Sequence, residues 1–175
     1  MHFMVRDPLS ARVRFLPLKE EELPRINELS NIPAIAQHFE TIPPVSMEAT
    51  RAMWSYIESG LMSLWGIHNS GRIIGGAGYY SQPPGTRLSH AATFFLYIEP
   101  AFQGMGIGTT AIQFLEKTAK ERGFRRMECM VAGSNPRAIS LYVKLGYEKE
   151  GEKKQAFFVN NSYENLILIS KILSP

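Results

Sequence analysis

The stretch Leu96-Tyr97-Ile98-Glu99-Pro100-Ala101-Phe102-Gln103-Gly104-Met105-Gly106-Ile107-Gly108-Thr109-Thr110 constrains this chain more than any other. It reads as a strand, a proline-marked exit, three glycines at every second position, and then a helix. The helix follows from Ala111, Ile112, Leu115 and Ala119, apolar at near-3.6 spacing up to a stop at Gly123. Gly104, Gly106 and Gly108 leave the backbone amides bare at a helix N-terminus, which carries roughly half a positive charge. Such a turn cradles phosphate. Because the helix follows the strand directly, the phosphate belongs to a ligand lying across the strand's end.

Three ligands compete for a glycine run of this kind. An ATP or GTP loop needs Gly-x-x-x-x-Gly-Lys-Ser/Thr, and only Thr109 and Thr110 stand at the helix start, with no lysine. A dinucleotide fingerprint needs a third glycine where Thr109 sits and usually opens its domain, although Glu128 falls about 20 residues on, as a ribose-binding acid would. The third reading fits without exceptions. Gln103-x-x-Gly106-x-Gly108 after a strand ending at Pro100 resembles the Gln/Arg-x-x-Gly-x-Gly/Ala signature of the GNAT superfamily of acyl-CoA-dependent N-acetyltransferases.

At 175 residues the chain is long enough for one domain with a substantial core and too short for two. Its net charge of +3 and pI near 9.0 suit an anionic ligand but fall short of a nucleic-acid-binding stripe. Cys129 is the only cysteine, so no internal disulfide forms. It sits in the apolar segment Met127 to Val131, which predicts a buried structural thiol in a reducing cytoplasm. The N-terminus has no basic start followed by a long apolar run, and no stretch approaches the roughly 18 apolar residues of a membrane span. The four histidines are scattered without metal-ligand spacing. These features predict a cytoplasmic, metal-free protein that binds neither membrane nor nucleic acid.

Along the chain, residues 1–11 read as an irregular N-terminal segment. Val13 and Phe15 begin a strand. An acidic turn at Glu20–Glu22 with Pro24 opens a first helix, and Ser46 caps a second. The proline-bearing segment 32–45 is a loop or broken helix. Hairpin strands follow at 61–67 and 72–80, then the strand 91–99, the helix 108–122, a strand at 126–131, and a helix from Asn135 to Gly146. A final hairpin, 155–159 with 163–172, turns at Asn160-Asn161. This order predicts one domain over 12–173 of α/β (α+β) class, a mixed, mostly antiparallel sheet flanked by helices. It is also the element order of the GNAT fold. The ending from Glu150-Gly151 to Tyr163-Glu164-Asn165 is similar to the branch with ribosomal-protein and spermidine acetyltransferases.

The resemblance implies acetyl-CoA as acyl donor and assigns roles along two motifs. In the first, backbone amides of Gly104, Gly106, Ile107 and Gly108, with Gln103 and Thr109, hold the pyrophosphate. Backbone of Leu96 and Ile98 pairs with the pantetheine arm, and Ile98 is the first choice for an oxyanion donor. The second motif is Asn135-Pro136-Arg137-Ala138-x-x-x-Tyr142, followed by Leu145-Gly146-Tyr147. Read by itself, Asn135 is an N-cap with proline at the first helical position, and Tyr142, two turns on, is a core aromatic. The resemblance instead places Asn135 on the pantetheine arm and makes Tyr142 the acid that protonates the leaving thiolate.

The group that takes the amine's proton is left open. Many relatives carry a glutamate where this chain has Met130. Glu128, Glu99, His90 or a water chain remain, and the missing glutamate also fits a catalytically silent acyl-CoA-binding module. The acceptor, a small-molecule amine or a protein amine, enters through 32–46, the second helix and the loops near 81–89 and 158–163. Trp54, Phe39, Tyr79, Tyr80 and Phe158 either line that entrance or pack the core. The last strands offer an edge for a homodimer.

Overall fold

The computed structural model describes residues 9–173. Its frame is a seven-stranded sheet in the order β1-β2-β3-β4-β5-β7-β6. The strands are β1 (Arg14–Pro17), β2 (Met62–Asn69), β3 (Arg72–Ser81), β4 (Ala91–Ile98), β5 (Arg126–Ala132), β6 (Glu148–Val159) and β7 (Ser162–Ile172). Every neighbouring pair is antiparallel except β4 and β5. A parallel pair needs a crossover, and α4 (Ile107–Glu121) supplies it. The remaining helices are α1 (Leu23–Ser30), the single turn α2 (Pro33–Ala36), α3 (Met47–Glu58) and α5 (Pro136–Lys144).

Both faces of the sheet are covered, so β3 is buried along nearly its whole length rather than on alternate residues. On one face, α4 and α5 pack Ile107, Ile112, Leu115 and Tyr142 against Ile74, Tyr79, Phe94 and Cys129. On the other, α1 sets Leu23, Ile26 and Leu29 against Leu64, Ile73 and Tyr97. The two clusters are separated by the sheet itself.

The helix boundaries follow local chemistry. Ser46 Oγ accepts the amide of Ala49 at 3.1 Å and starts α3. Both α4 and α5 end in a left-handed glycine with reciprocal closing bonds. For α5, Gly146 N–H donates to Val143 O at 3.0 Å and Tyr147 N–H to Tyr142 O at 3.0 Å. That cap swings Tyr147 back under the helix, where its ring lies 5.9 Å from Tyr142 and 5.3 Å from Phe94.

Two features depart from the sequence expectation. Strand β6 begins at Glu148, not Gln155. Its first half, Glu148-Lys149-Glu150-Gly151-Glu152-Lys153-Lys154, is charged on both faces because it is an exposed sheet edge, so no period-two pattern marks it. Such charge also blunts edge-to-edge association. Residues 9–11, within the segment read as irregular, form one 3-10 turn with Leu9 packed onto the α4 side of the core. The rest of that segment, 1–8, lies outside the described residues.

Candidate active site

The parallel pair β4/β5 is joined only at its start, where Ala91, Ala92 and Thr93 face Arg126, Met127 and Glu128. Beyond Thr93 the two strands part. The Glu99 amide donates to Ile74 O at 2.8 Å on the β3 side. Strand alternation therefore turns the amide groups of Ile98 and Leu96 the other way, into the gap. A buried strand with a free edge is costly unless something pairs with it. The opening is a ready slot for an extended, hydrogen-bonding ligand.

A cavity of about 730 Å³ occupies this opening and passes through the sheet. On the α5 face its wall includes Phe94, Leu96, Cys129, Asn135, Ala138 and Tyr142. On the α3 face it includes Phe39, Glu40, Met53, Tyr80, Tyr97 and Met130. Of the sequence-predicted residues, Leu96, Asn135 and Tyr142 line the cavity. Ile98 and the loop 103–109 lie outside its lining, at the C-terminal end of β4.

That loop has the geometry of an anion cradle. Gly104 and Gly106 both have φ of 81°, a backbone conformation that L side chains rarely adopt. Gly106 is the N-cap residue of α4 and offers no side-chain cap, so the first-turn amides remain available. Gly108 has an ordinary helical conformation and serves packing instead. A Cβ there would stand 3.1 Å from Leu141 Cδ2 and close to Leu96.

Gln103 behaves differently from the expectation of a ligand-contacting side chain. Its Nε2 donates to Ile98 O at 2.8 Å, and its Oε1 accepts from Arg137 Nη1 at 3.0 Å. Gln103 thus clamps the loop to the end of β4 and draws Arg137 from α5 over Gly104. Arg137, in the first turn of α5, supplies a cation beside the cradle. Asn135 Oδ1 accepts the Ala138 amide at 3.2 Å, as an N-cap should. Its amide nitrogen is left over for the cavity.

Tyr142 is 7% exposed, its ring edge-on to Phe94 at 5.1 Å. Burial raises its phenol above the ordinary value, with Cys129 a smaller contribution in the same direction. The hydroxyl therefore stays protonated throughout the neutral range. Burial also pushes the Cys129 thiol up to about 12, which makes it a poor nucleophile.

None of the three residues considered as base lines the cavity. Glu99 is held between Arg25 Nη2 and Arg72 Nη2, both at 2.8 Å, with its side chain 18% exposed. It fastens α1 to the ends of β3 and β4. Glu128 Oε2 accepts from Arg126 Nε at 2.6 Å. His90 precedes β4, and its backbone oxygen accepts from the Arg125 amide at 2.9 Å.

Replacing Glu99 by glutamine leaves one arginine without its charged partner. It should cost about 2 kcal/mol, a fall in Tm of about 4–8 °C. Thermal unfolding together with a pH–rate profile checks this. A shifted profile at unchanged Tm would return Glu99 to the chemistry.

The sequence reading did not single out His38 and Glu40, which reach the cavity from the loop after α2. Partial burial lowers the His38 pKa, opposed by the neighbouring Glu164 carboxylate, so the imidazole is neutral at neutral pH. Only the proline-rich composition of the loop hinted at a functional segment. Among the candidate entrance aromatics, Phe39 and Tyr80 line the cavity. Tyr79 is core on the opposite face, Trp54 packs in the α1 cluster, and Phe158 lies on the exposed hairpin against Tyr163.

The sheet parts between its two parallel strands beside a bare helix N-terminus, an opening that fits the acyl-CoA ligand the sequence resemblance implies. The comparisons with known proteins agree. The model of the acetyltransferase (GNAT) family matches residues 28–147, and the chain belongs to that family. Spermidine N(1)-acetyltransferase of Escherichia coli strain K12 is 27% identical over 166 residues, spanning 91% of this chain and 86% of that protein. The ribosomal protein bS18-alanine N-acetyltransferase of the same strain is 25% identical over 87 residues, 50% of this chain and 59% of that one. The fold matches a Vibrio cholerae spermidine N-acetyltransferase, solved with CoA and spermine, at a TM-score of 0.83. The two are 20% identical, with 93% of this chain and 96% of that one covered. A Sinorhizobium meliloti phosphinothricin acetyltransferase, solved with acetyl-CoA, matches at 0.85 and 21% identity, covering 93% and 89%. Acetyl-CoA is the acyl donor of this family.

Proposed function

We propose that this acetyltransferase carries out direct attack of a neutral primary amine on the acyl donor, with Tyr142 as the proton donor and the β4/β5 opening as the reaction channel. The observation that carries the reading is the single cavity through the sheet, which joins the free edge of β4 and Tyr142 to an acceptor side on the α3 face. Bound acetyl-CoA supplies the thioester carbonyl that the amine attacks. The amides of Gly104, Gly106, Ile107, Gly108 and Thr109, with Arg137, hold its phosphates. Backbone groups of Leu96 and Ile98, with the Asn135 amide, align its arm. Gln103 acts indirectly, by holding the loop and Arg137 in place.

The Ile98 amide faces the gap and is the first candidate to stabilise negative charge on the carbonyl oxygen. Tyr142 holds a proton on Oη at the cavity wall, where it can pass to the departing sulfur. An aliphatic amine near pKa 10 must lose a proton before it attacks. His38, neutral and on the cavity rim, is the acceptor we assign, directly or through water. No covalent acyl-enzyme is involved, because the Cys129 thiol is held protonated.

The acetyltransferase domain spans 12–173, which takes in every strand from β1 to β7. The acceptor is a small or protein amine, and a homodimer would pair through the less charged second half of β6, Gln155–Val159. Its one free, buried thiol suits a reducing cytoplasm.

The test is thermal unfolding with acetyl-CoA, NAD and ATP in parallel. At about 100 times its dissociation constant acetyl-CoA should add about 2.7 kcal/mol, a rise of several degrees. A shift with NAD or ATP and none with acetyl-CoA would overturn the reading of the glycine loop.

A further inference from the structure

The relatives in sequence include enzymes named for spermidine, a polycation, so the acceptor half of the cavity can be asked whether it suits one. A polyamine carries several positive charges along its length, and a site for it needs carboxylates at matching intervals. Among the described residues, the cavity wall has one, Glu40. The two nearby acids stand outside the cavity wall. Glu128 is bound by Arg126, and Glu164 accepts from the Ser134 hydroxyl.

The rest of this half has no further acid: apolar side chains stand among uncharged hydroxyls and amides such as Thr41, Ser81 and Gln82, with His38 at the rim. Tyr56, Tyr80 and Met130 are 58%, 38% and 37% exposed, although each is a large apolar side chain. All three border the same cavity, beside Phe39, Met53 and Pro83. Exposed apolar side chains scattered over a surface need no explanation, but several lining one concave site mark a ligand surface. Burial raises the pKa of the Tyr80 hydroxyl, and the field of Glu40 adds to it. Glu40 and Tyr80 line the same cavity, so one ligand can meet both.

Resting on the amine-acetylation reading above, we propose that the acceptor is a small monocationic amine with an aromatic or branched aliphatic body. Its ammonium group enters past Glu40, and its body lies against Phe39, Met53, Tyr80 and Met130. Each methylene moved from water into such a lining raises affinity about fourfold. Beyond Glu40 the cavity wall has no further carboxylate, so a second or third ammonium group that enters it carries a desolvation penalty. The volume is that of a small-molecule site, which disfavours a protein segment as acceptor.

The experiment compares kcat/KM for acetyl-CoA-dependent thiol release with phenethylamine, isoamylamine, ethanolamine, spermidine and a lysine-containing peptide. Phenethylamine and isoamylamine should exceed ethanolamine and spermidine by at least about tenfold. Met53→Asp, which adds a second carboxylate to the wall, should narrow the gap between phenethylamine and spermidine by at least about tenfold. Preference for spermidine or for the peptide in the unmodified protein would overturn this inference and leave the acetylation reading standing. If acetyl-CoA binds but no amine releases thiol, the acetylation reading falls and the inference with it.

Discussion

Tyr142→Phe is expected to lower kcat by about a hundredfold or more while leaving the acetyl-CoA-induced thermal shift intact. A positioned proton donor contributes about 10²–10⁴-fold, and phenylalanine removes the donor while keeping the ring. The ring holds the local structure, edge-on to Phe94 and 5.9 Å from Tyr147, so folding should change little. Tyr147→Phe is the matching control. That residue is equally buried, but its hydroxyl meets Met127 Sδ at 3.9 Å and does not line the cavity. Its kcat should stay within about threefold, the scale of a packing change rather than of a lost proton donor. Because burial raises the Tyr142 phenol above its usual value, the pH–rate profile should show no fall attributable to Tyr142 below about pH 10. Equal small effects from the two substitutions would reduce Tyr142 to the core aromatic that helical spacing alone suggests.

Features decided by nearest neighbours in the chain were legible in the sequence. The N-caps Ser46 and Asn135, the glycine stops at 123 and 146, and the turn at Asn160-Asn161 are each fixed by a few adjacent residues. The glycine cradle belongs to the same class. Where the outcome depends on partners far along the chain, the sequence was silent. The β4/β5 parting comes from pairing that stops after three residues, and nothing in either strand's composition announces where it stops. Gln103 has two possible targets, ligand or strand end, and only the fold shows Ile98 O within its reach. Glu99 stayed among the open candidates for the base because the arginines that hold it lie 74 and 27 residues away. His38 and Glu40 sit on a loop without periodicity, so their convergence on the cavity is a property of the whole structure.

Gly75→Ala is expected to destabilise the protein by about 3 kcal/mol, lowering Tm by about 6–12 °C. Considered through the unfolded chain alone, the substitution should stabilise by about 0.4–1 kcal/mol, since alanine has less conformational freedom to lose. The native state reverses the sign. A Cβ at position 75 would collide with the backbone oxygen of Tyr97 and lie 3.2 Å from Ile98 Cα. Backbone atoms cannot rotate away as a side-chain tip can, so β3 and β4 would have to separate. That ladder, with Gly75 opposite Ile98, positions the strand whose other edge faces the gap. Gly133→Ala gives the contrast, because its new methyl would meet only Asn165 O at an ordinary 3.4 Å. Calorimetry on the two variants measures the difference. Loss of Tm at position 75 with little change at 133 would show that close approach of β3 to β4, not glycine's flexibility, selects the residue. It would also mean that the opening beside β4 is held from behind by a strand packed too tightly to move.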